Sequence, residues 1–244
     1  MSVSAKNFQH WLSSVAGTMS HAAVCRAAGI KRSTLAQQMV RGRVSLATVA
    51  AVSRSLELPV VISLAAFPAF QDLASGIKAP TQAEALSQIS DTDLLQEILH
   101  RQAAAESDSA PQAFALSDPH HRSSVRAWLD AVDTSDLRQK LARQASIAPQ
   151  NLSAQITANR LTAELAIESA RIAGVGLTNG LVATGFLTPS EAGWPDDARQ
   201  QALRKVADSG LVLLASHRLE ILGRALRRSE DDTAAVQNIW ENLG

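Results

Sequence analysis

The chain has one cysteine, no tyrosine, few aromatic residues and no long apolar run. One cysteine cannot close an internal disulfide, so a secreted disulfide scaffold is excluded and a reducing compartment is expected. The longest apolar candidate, residues 56–70, is interrupted by Glu57, Ser63, Pro59 and Pro68. It falls short of the roughly 18 residues a membrane span needs. The first ten residues lack a basic segment followed by an apolar one, so no signal peptide is expected and the location expected is cytoplasmic. Net charge of one sign is also missing: 23 basic side chains face 23 acidic ones. What is abundant is apolar surface, 46% of 244 residues, enough to build a core in one large domain or two ordinary ones.

Neutrality dissolves when charge is taken by region. Residues 1–65 carry Lys6, Arg26, Lys31, Arg32, Arg41, Arg43 and Arg54 against Glu57 alone, a balance of +6. Residues 66–124 come to −5, residues 125–186 to +1 and residues 187–244 to −2. A basic end on a neutral chain points to a polyanion partner. Its plainer alternative is a basic solvated face without one.

Apolar residues recur at three- and four-residue spacing through Phe8–Leu12–Val15, Leu46–Val49–Val52–Leu56 and Leu211–Leu214–Leu219–Leu222, whereas alternating β-branched runs are scarce. The fold class expected is all-α. Residues 103–124 turn to Ala, Ser, Asp, Pro and His without periodicity, which reads as a linker. The division that follows is 1–102, an N-terminal domain with an acidic helical extension; 103–124, a linker; and 125–244, a second domain closed by C-terminal helices.

The informative pattern is an internal repeat. Trp11-Leu12 returns as Trp128-Leu129, 117 residues later. At that fixed offset Arg26 meets Arg143, Ile30 meets Ile147, Leu35 meets Leu152, Gln38 meets Gln155, Arg43 meets Arg160 and Arg54 meets Arg171. No gap is needed, so the chain reads as a tandem duplication of one helical unit. In copy one Ser20 caps a short helix with Val24 and Ala27 inward, and Gly29 ends it in a left-handed conformation. A second helix runs from about Arg32 to Val40 with Leu35 and Met39 inward, and a further helix from Leu46 to Leu58. Two short helices joined by a turn of three or four residues form the helix-turn-helix pattern.

The run from His21 through Ala22-Ala23-Val24-Cys25-Arg26-Ala27-Ala28-Gly29-Ile30-Lys31-Arg32-Ser33-Thr34 to Leu35 resembles the Cro/CI-type helix-turn-helix regulators. Copy two, through Asn159-Arg160-Leu161-Thr162-Ala163-Glu164 and Gly180-Leu181-Val182-Ala183-Thr184-Gly185-Phe186-Leu187-Thr188, is similar to regulators of actinobacterial temperate phages and prophages. Ser90 to Leu99 is similar to the acidic-start helix that follows such motifs. The resemblance implies two tandem lambda-repressor-like units, a double-stranded operator DNA partner, no cofactor and the role of a phage immunity repressor.

On that reading Lys31, Arg32, Ser33 and Gln37 face base edges in the major groove, since arginine and glutamine can take guanine and adenine bidentately. Ser20, His21, Thr34, Arg41 and Arg43 are placed for phosphates, which set register. In copy two Ser146 stands where copy one has Gly29, and Ala148-Pro149 where it has Lys31-Arg32. The base readers left there are Gln150 and Asn151, with Arg138, Lys140, Gln155 and Arg160 for phosphates. A monomer so built prefers an asymmetric site and a homodimer a palindrome. The alternative function is an antitoxin or adaptor whose second copy dimerises or holds a protein partner. The helical stretches 211–226 and 236–243, flanked by Arg224, Arg227 and Arg228, read as closing helices or as an interface for self-association or for an antagonist protein.

Catalytic and metal constellations are thin. Cys25 falls on the buried side of its helix without a positioned base, and reads as core. His120 and His121 with Asp118 lie in the expected linker without a second ligand pair, and read as solvated. Trp11 and Trp128 recur at equivalent positions, which marks them as core packing.

Overall fold

The computed structural model describes residues 2–106 and 114–242. Within them the chain is predominantly helical. No helix among the described residues is long and apolar enough to cross a membrane.

Copy one contains β1 (Ser2–Ser4), α1 (Ala5–Val15), α2 (His21–Ala27), α3 (Arg32–Val40), β2 (Arg43–Ser45), α4 (Leu46–Ser55) and α5 (Val60–Ala65). A 3-10 segment, Pro68–Leu73, leads to α6 (Gln82–Ser87) and α7 (Asp91–Glu106). Copy two contains α8 (Ser124–Val132), α9 (Leu137–Gln144), α10 (Pro149–Thr157), α11 (Ala163–Ala173) and α12 (Asn179–Ala183), followed by α13 (Ala198–Arg204) and α14 (Asp208–Asn242). Copy one adds a feature the helical reading did not foresee: β1 and β2 pair antiparallel, Val3 opposite Val44.

The 117-residue offset carries α3 onto α10 end for end. It also carries the backbone punctuation. Left-handed residues fall at Gly29 and Ser146, at Gly42 and Asn159, and at Glu57 and Gly174, each pair 117 apart. The turn bonds repeat as well: Ile30 N donates to Cys25 O at 2.8 Å, and Ile147 N to Ala142 O at 3.0 Å. Ser45 caps α4 and Thr162 caps α11, each accepting from a backbone N–H three residues on. Only glycine adopts a left-handed backbone freely, so these positions hold a conformation that the turns demand of whichever residue is present.

Copy two has no described counterpart of the β1–β2 pair. There the left-handed Asn159 accepts from Val125 N through Oδ1 at 2.9 Å and donates from Nδ2 to His121 O at 2.8 Å. One amide side chain thereby ties the end of α10 to the start of α8, a tie that copy one makes with backbone.

Contacts divide the chain elsewhere than the sequence expectation: one compact unit is 1–88 with 119–199, and the other is 89–118 with 200–244. In the first unit both copies share one buried core containing Phe8, Trp11, Val49, Leu64, Trp128, Leu141, Ala166 and Leu181. Glu84 of α6 is fully buried and accepts from four donors: Trp128 Nε1 at 3.2 Å, Asn179 Nδ2 at 3.1 Å, Thr81 N at 2.9 Å and Thr81 Oγ1 at 3.1 Å. Asn179 Oδ1 in turn accepts from Trp194 Nε1 at 2.7 Å. A buried polar group is tolerable only when so paired. Beyond the core the copies exchange ion pairs through equivalent arginines. Arg54 binds Glu191 beyond copy two at 2.7 and 2.9 Å, and its repeat mate Arg171 binds Asp72 beyond copy one at 2.5 Å. The duplicated halves thus embrace each other reciprocally.

The reading of 103–124 as a solvated linker needs correction. α7 runs on to Glu106, residues 107–113 lie outside the described residues, and Pro119 onward belongs to the first unit. His121 Nε2 lies 2.9 Å from Ser87 O, and His120 Nδ1 lies 3.0 Å from Ser124 Oγ. Both histidines anchor the entry to α8. Three smaller differences follow from local chemistry. Ala27 is exposed, and Val24 and Cys25 fill α2's inner face. α4 stops at Ser55 because Glu57 turns left-handed before Pro59. Residues 208–242 form one continuous helix, not two stretches, with no proline or capping break inside them.

In the second unit α7 packs beside α14, with Ile89, Leu94 and Leu211 buried. Arg101 binds Glu97 at 2.7 Å, the carbonyls of Val206 and Leu203 at 2.7 and 2.8 Å, and Asp208 at 2.9 Å. It closes the end of α13 and the start of α14 with one side chain.

Candidate nucleic-acid interface

Three short elements build the candidate surface in copy one. Ser20 caps α2, accepting from Ala23 N at 3.2 Å, and Gly29 turns the chain toward α3. Ile30, packed against the core, and the buried Leu35 seat α3. That leaves Arg32, Ser33, Ala36, Gln37 and Val40 on one exposed stripe, at the spacing of a single helix face. Lys31 is the N-cap and makes no side-chain cap bond, so the N–H groups of Arg32 and Ser33 have no side-chain cap. Arg41 and Arg43 follow on the exposed turn around Gly42, and His21 and Thr34 are exposed as well.

The electrostatics are one-sided. No acidic residue precedes Glu57. Among the described residues Lys31, Arg32, Arg41 and Arg43 form no ion pair, nor does Arg26, a cation of α2 that the sequence reading left without a role. Unpaired exposed guanidinium and ammonium groups are free to meet phosphate at little desolvation cost.

Copy two presents the same backbone with different chemistry. Its equivalent stripe is Pro149, Gln150, Ser153, Ala154 and Thr157, all exposed, with Asn151 beside it. Three of its six cations are ion-paired: Arg138 with Asp130, Lys140 with Asp136 at 2.9 Å and Arg171 with Glu168 and Asp72. Arg160 is exposed and forms no ion pair among the described residues. Gln155 departs from the phosphate role expected of it. Its Oε1 is buried and without a hydrogen-bond partner, because the position turns inward, as Gln38 does in copy one. Gln38 Oε1 there accepts from Ser45 N at 2.9 Å and Thr48 Oγ1 at 3.0 Å.

Sequence reasoning also missed Arg126 and Arg143, which with Arg138 border a cavity of about 420 Å³ on copy two. A signal was present: at the repeat offset Arg126 and Arg138 replace Gln9 and His21, a gain of cations in the copy that loses Lys31-Arg32. Cys25 is buried as expected, and the described residues hold no cluster of three or more metal-ligating side chains. No protein-family model, curated protein or solved structure matches the chain.

Proposed function

We propose that the chain is a sequence-specific, double-stranded DNA-binding transcriptional repressor of the helix-turn-helix type, acting as a phage or prophage immunity regulator without an enzymatic step. The observation that carries this reading is the acid-free stretch before Glu57, where α3 offers Arg32, Ser33 and Gln37 on one face and Lys31, Arg41 and Arg43 flank it unpaired. A helix presented in this way suits the major groove. Arg32 then reads guanine and Gln37 adenine, while the flanking cations hold phosphates. Copy two, with Arg138, Lys140 and Arg171 held in ion pairs, contributes Gln150 and Asn151 and, through Arg160, few phosphate contacts. Because the copies are joined in one chain and differ in side chains, the preferred operator is asymmetric and one chain covers it.

The test is a footprint of the full chain on the DNA upstream of its own gene, with mass measured in solution. A protected, asymmetric site occupied by one chain supports the reading; absence of protection on that DNA and on random duplex removes it. A second reading, an antitoxin or adaptor whose copy two holds a partner, is favoured by one observation: the internal neutralisation of Arg138 and Lys140. A footprint unchanged by Gln150→Ala with Asn151→Ala would favour that use of copy two.

A further inference from the structure

The cavity on copy two has a composition that DNA contact does not explain. Its floor is apolar, made by Ala142 and Ile147 with Leu152 and Ile156 of α10. Arg126, Arg138 and Arg143 stand around it. Arg126 comes from α8 and the other two from α9, so three arginines on two helices border one hollow. A solvated basic face needs no hollow, and a DNA phosphate has no apolar body with which to fill one.

A further detail points to a ligand. Arg138 gives one edge to Asp130. Arg143 is exposed and forms no ion pair among the described residues, while Arg126 makes only a long bond, 3.4 Å, to Thr157 Oγ1. In copy one the positions of Arg126 and Arg138 hold Gln9 and His21, and the position of Pro149 holds Arg32. Relative to its twin, then, copy two has moved positive charge from the exposed tip of its second short helix to the walls of a groove.

We propose that this groove binds a small anionic amphiphile, a molecule with one carboxylate or phosphate head and an apolar body. The head lies against Arg143, with Arg126 and Arg138 adding charge from the walls. The body covers Ile147, Leu152 and Ile156. About 420 Å³ lies within the range of small-molecule sites. Arg138 and Ser153 sit on the surface assigned above to copy two's DNA contact, so an occupant there would also reduce that contact. The site itself does not depend on the DNA reading, because its ligand is bound by the free protein.

The experiment is equilibrium dialysis of the full chain, without DNA, against decanoate below its micelle concentration. Decanol, decyltrimethylammonium and inorganic phosphate are parallel probes. The proposal expects one saturable decanoate site per chain, with each of the other three probes at least about tenfold weaker. Arg143→Ala should weaken decanoate about tenfold. Ser153→Trp, which fills the hollow from an exposed position, should abolish binding while circular dichroism and melting stay those of the parent. Absence of a saturable site overturns the proposal. So does decanol or phosphate binding as tightly as decanoate, or a decanoate site that survives both substitutions.

Discussion

The left-handed turn residues shared by the two copies allow a prediction whose sign differs from site to site. Ser146 occupies in copy two the position of Gly29, at φ 51° against 65°, and its side chain is exposed. A non-glycine residue there costs about 1–2 kcal/mol. Replacing it by glycine returns that cost less about 0.5–1 kcal/mol of extra unfolded-chain entropy. Ser146→Gly is therefore expected to stabilise by about 0.5–1 kcal/mol, and Gly29→Ser to destabilise by a similar amount. A Cβ at Gly29 meets nothing within 4 Å, so the loss there is conformational strain without a clash. Glu57→Gly should gain as Ser146→Gly does, since Glu57 lies at φ 56° where copy two has Gly174. Asn159→Gly should go the other way despite φ 53°, because it removes the bonds to Val125 N and His121 O. Asparagine tolerates the left-handed region, and two lost bonds cost about 1–3 kcal/mol. Urea unfolding followed by tryptophan fluorescence, with Trp240→Phe as background, reads Trp11, Trp128 and Trp194 of the first unit. Melting temperatures should move by about 2–4 °C per kcal/mol. Destabilisation by Ser146→Gly, or stabilisation by Asn159→Gly, would refute the claim that the repeat fixes backbone conformation at these positions.

Other perturbations follow from the same geometry. Glu84→Gln places an amide N–H₂ where four donors converge, and should lower stability by about 2 kcal/mol, read as a lower urea midpoint and red-shifted tryptophan emission. The hydrogen bond from Arg54 holds the Glu191 carboxyl below the ordinary carboxylate range. Its contribution is thus present above that range and is lost as pH falls through the lowered value; Arg54→Ala should flatten the decline of stability between about pH 5 and pH 3. Because the pair is partly exposed, the difference should stay below about 1 kcal/mol, and an equally steep decline in the variant would remove the pair from the account. On DNA, Arg32→Ala should relax specificity at one base, whereas Arg43→Ala should weaken all duplexes evenly and lower the salt slope by about one. Equal losses for Arg32→Ala on selected and random duplex would unseat it as a base reader.

The helical class and the repeat were legible because both live in periodic, short-range pattern: Trp11-Leu12 against Trp128-Leu129, and apolar faces at helical spacing. The turns were legible where glycine marked them, as at Gly29, and only by alignment with the twin where Ser146 stands instead. What the sequence hid was long-range. Glu84, in a segment that counts toward a −5 balance, looks like a solvated charge, and only the fold brings Trp128 and Asn179 to it. The expected linker failed for the same reason: His120 and His121 carry no periodicity, yet their partners, Ser124 and Ser87, hold the chain in place. In the candidate interface the exposed stripe of α3 followed from Leu35 and Met39 facing inward. The internal pairing of Arg138 with Asp130, eight residues earlier and on another helix, depends on how α8 and α9 meet, and no helix-periodic rule reports it.

The central claim is that copy one, through α3 and its unpaired cations, recognises duplex DNA. Selection of binding sites from a random double-stranded library tests it most directly, using the full chain in parallel with a Lys31→Ala, Arg32→Ala, Arg43→Ala variant that melts like the parent. The account predicts one enriched sequence for the parent and none for the variant. Enrichment of nothing by the parent, or of the same sequence by both proteins, would contradict it.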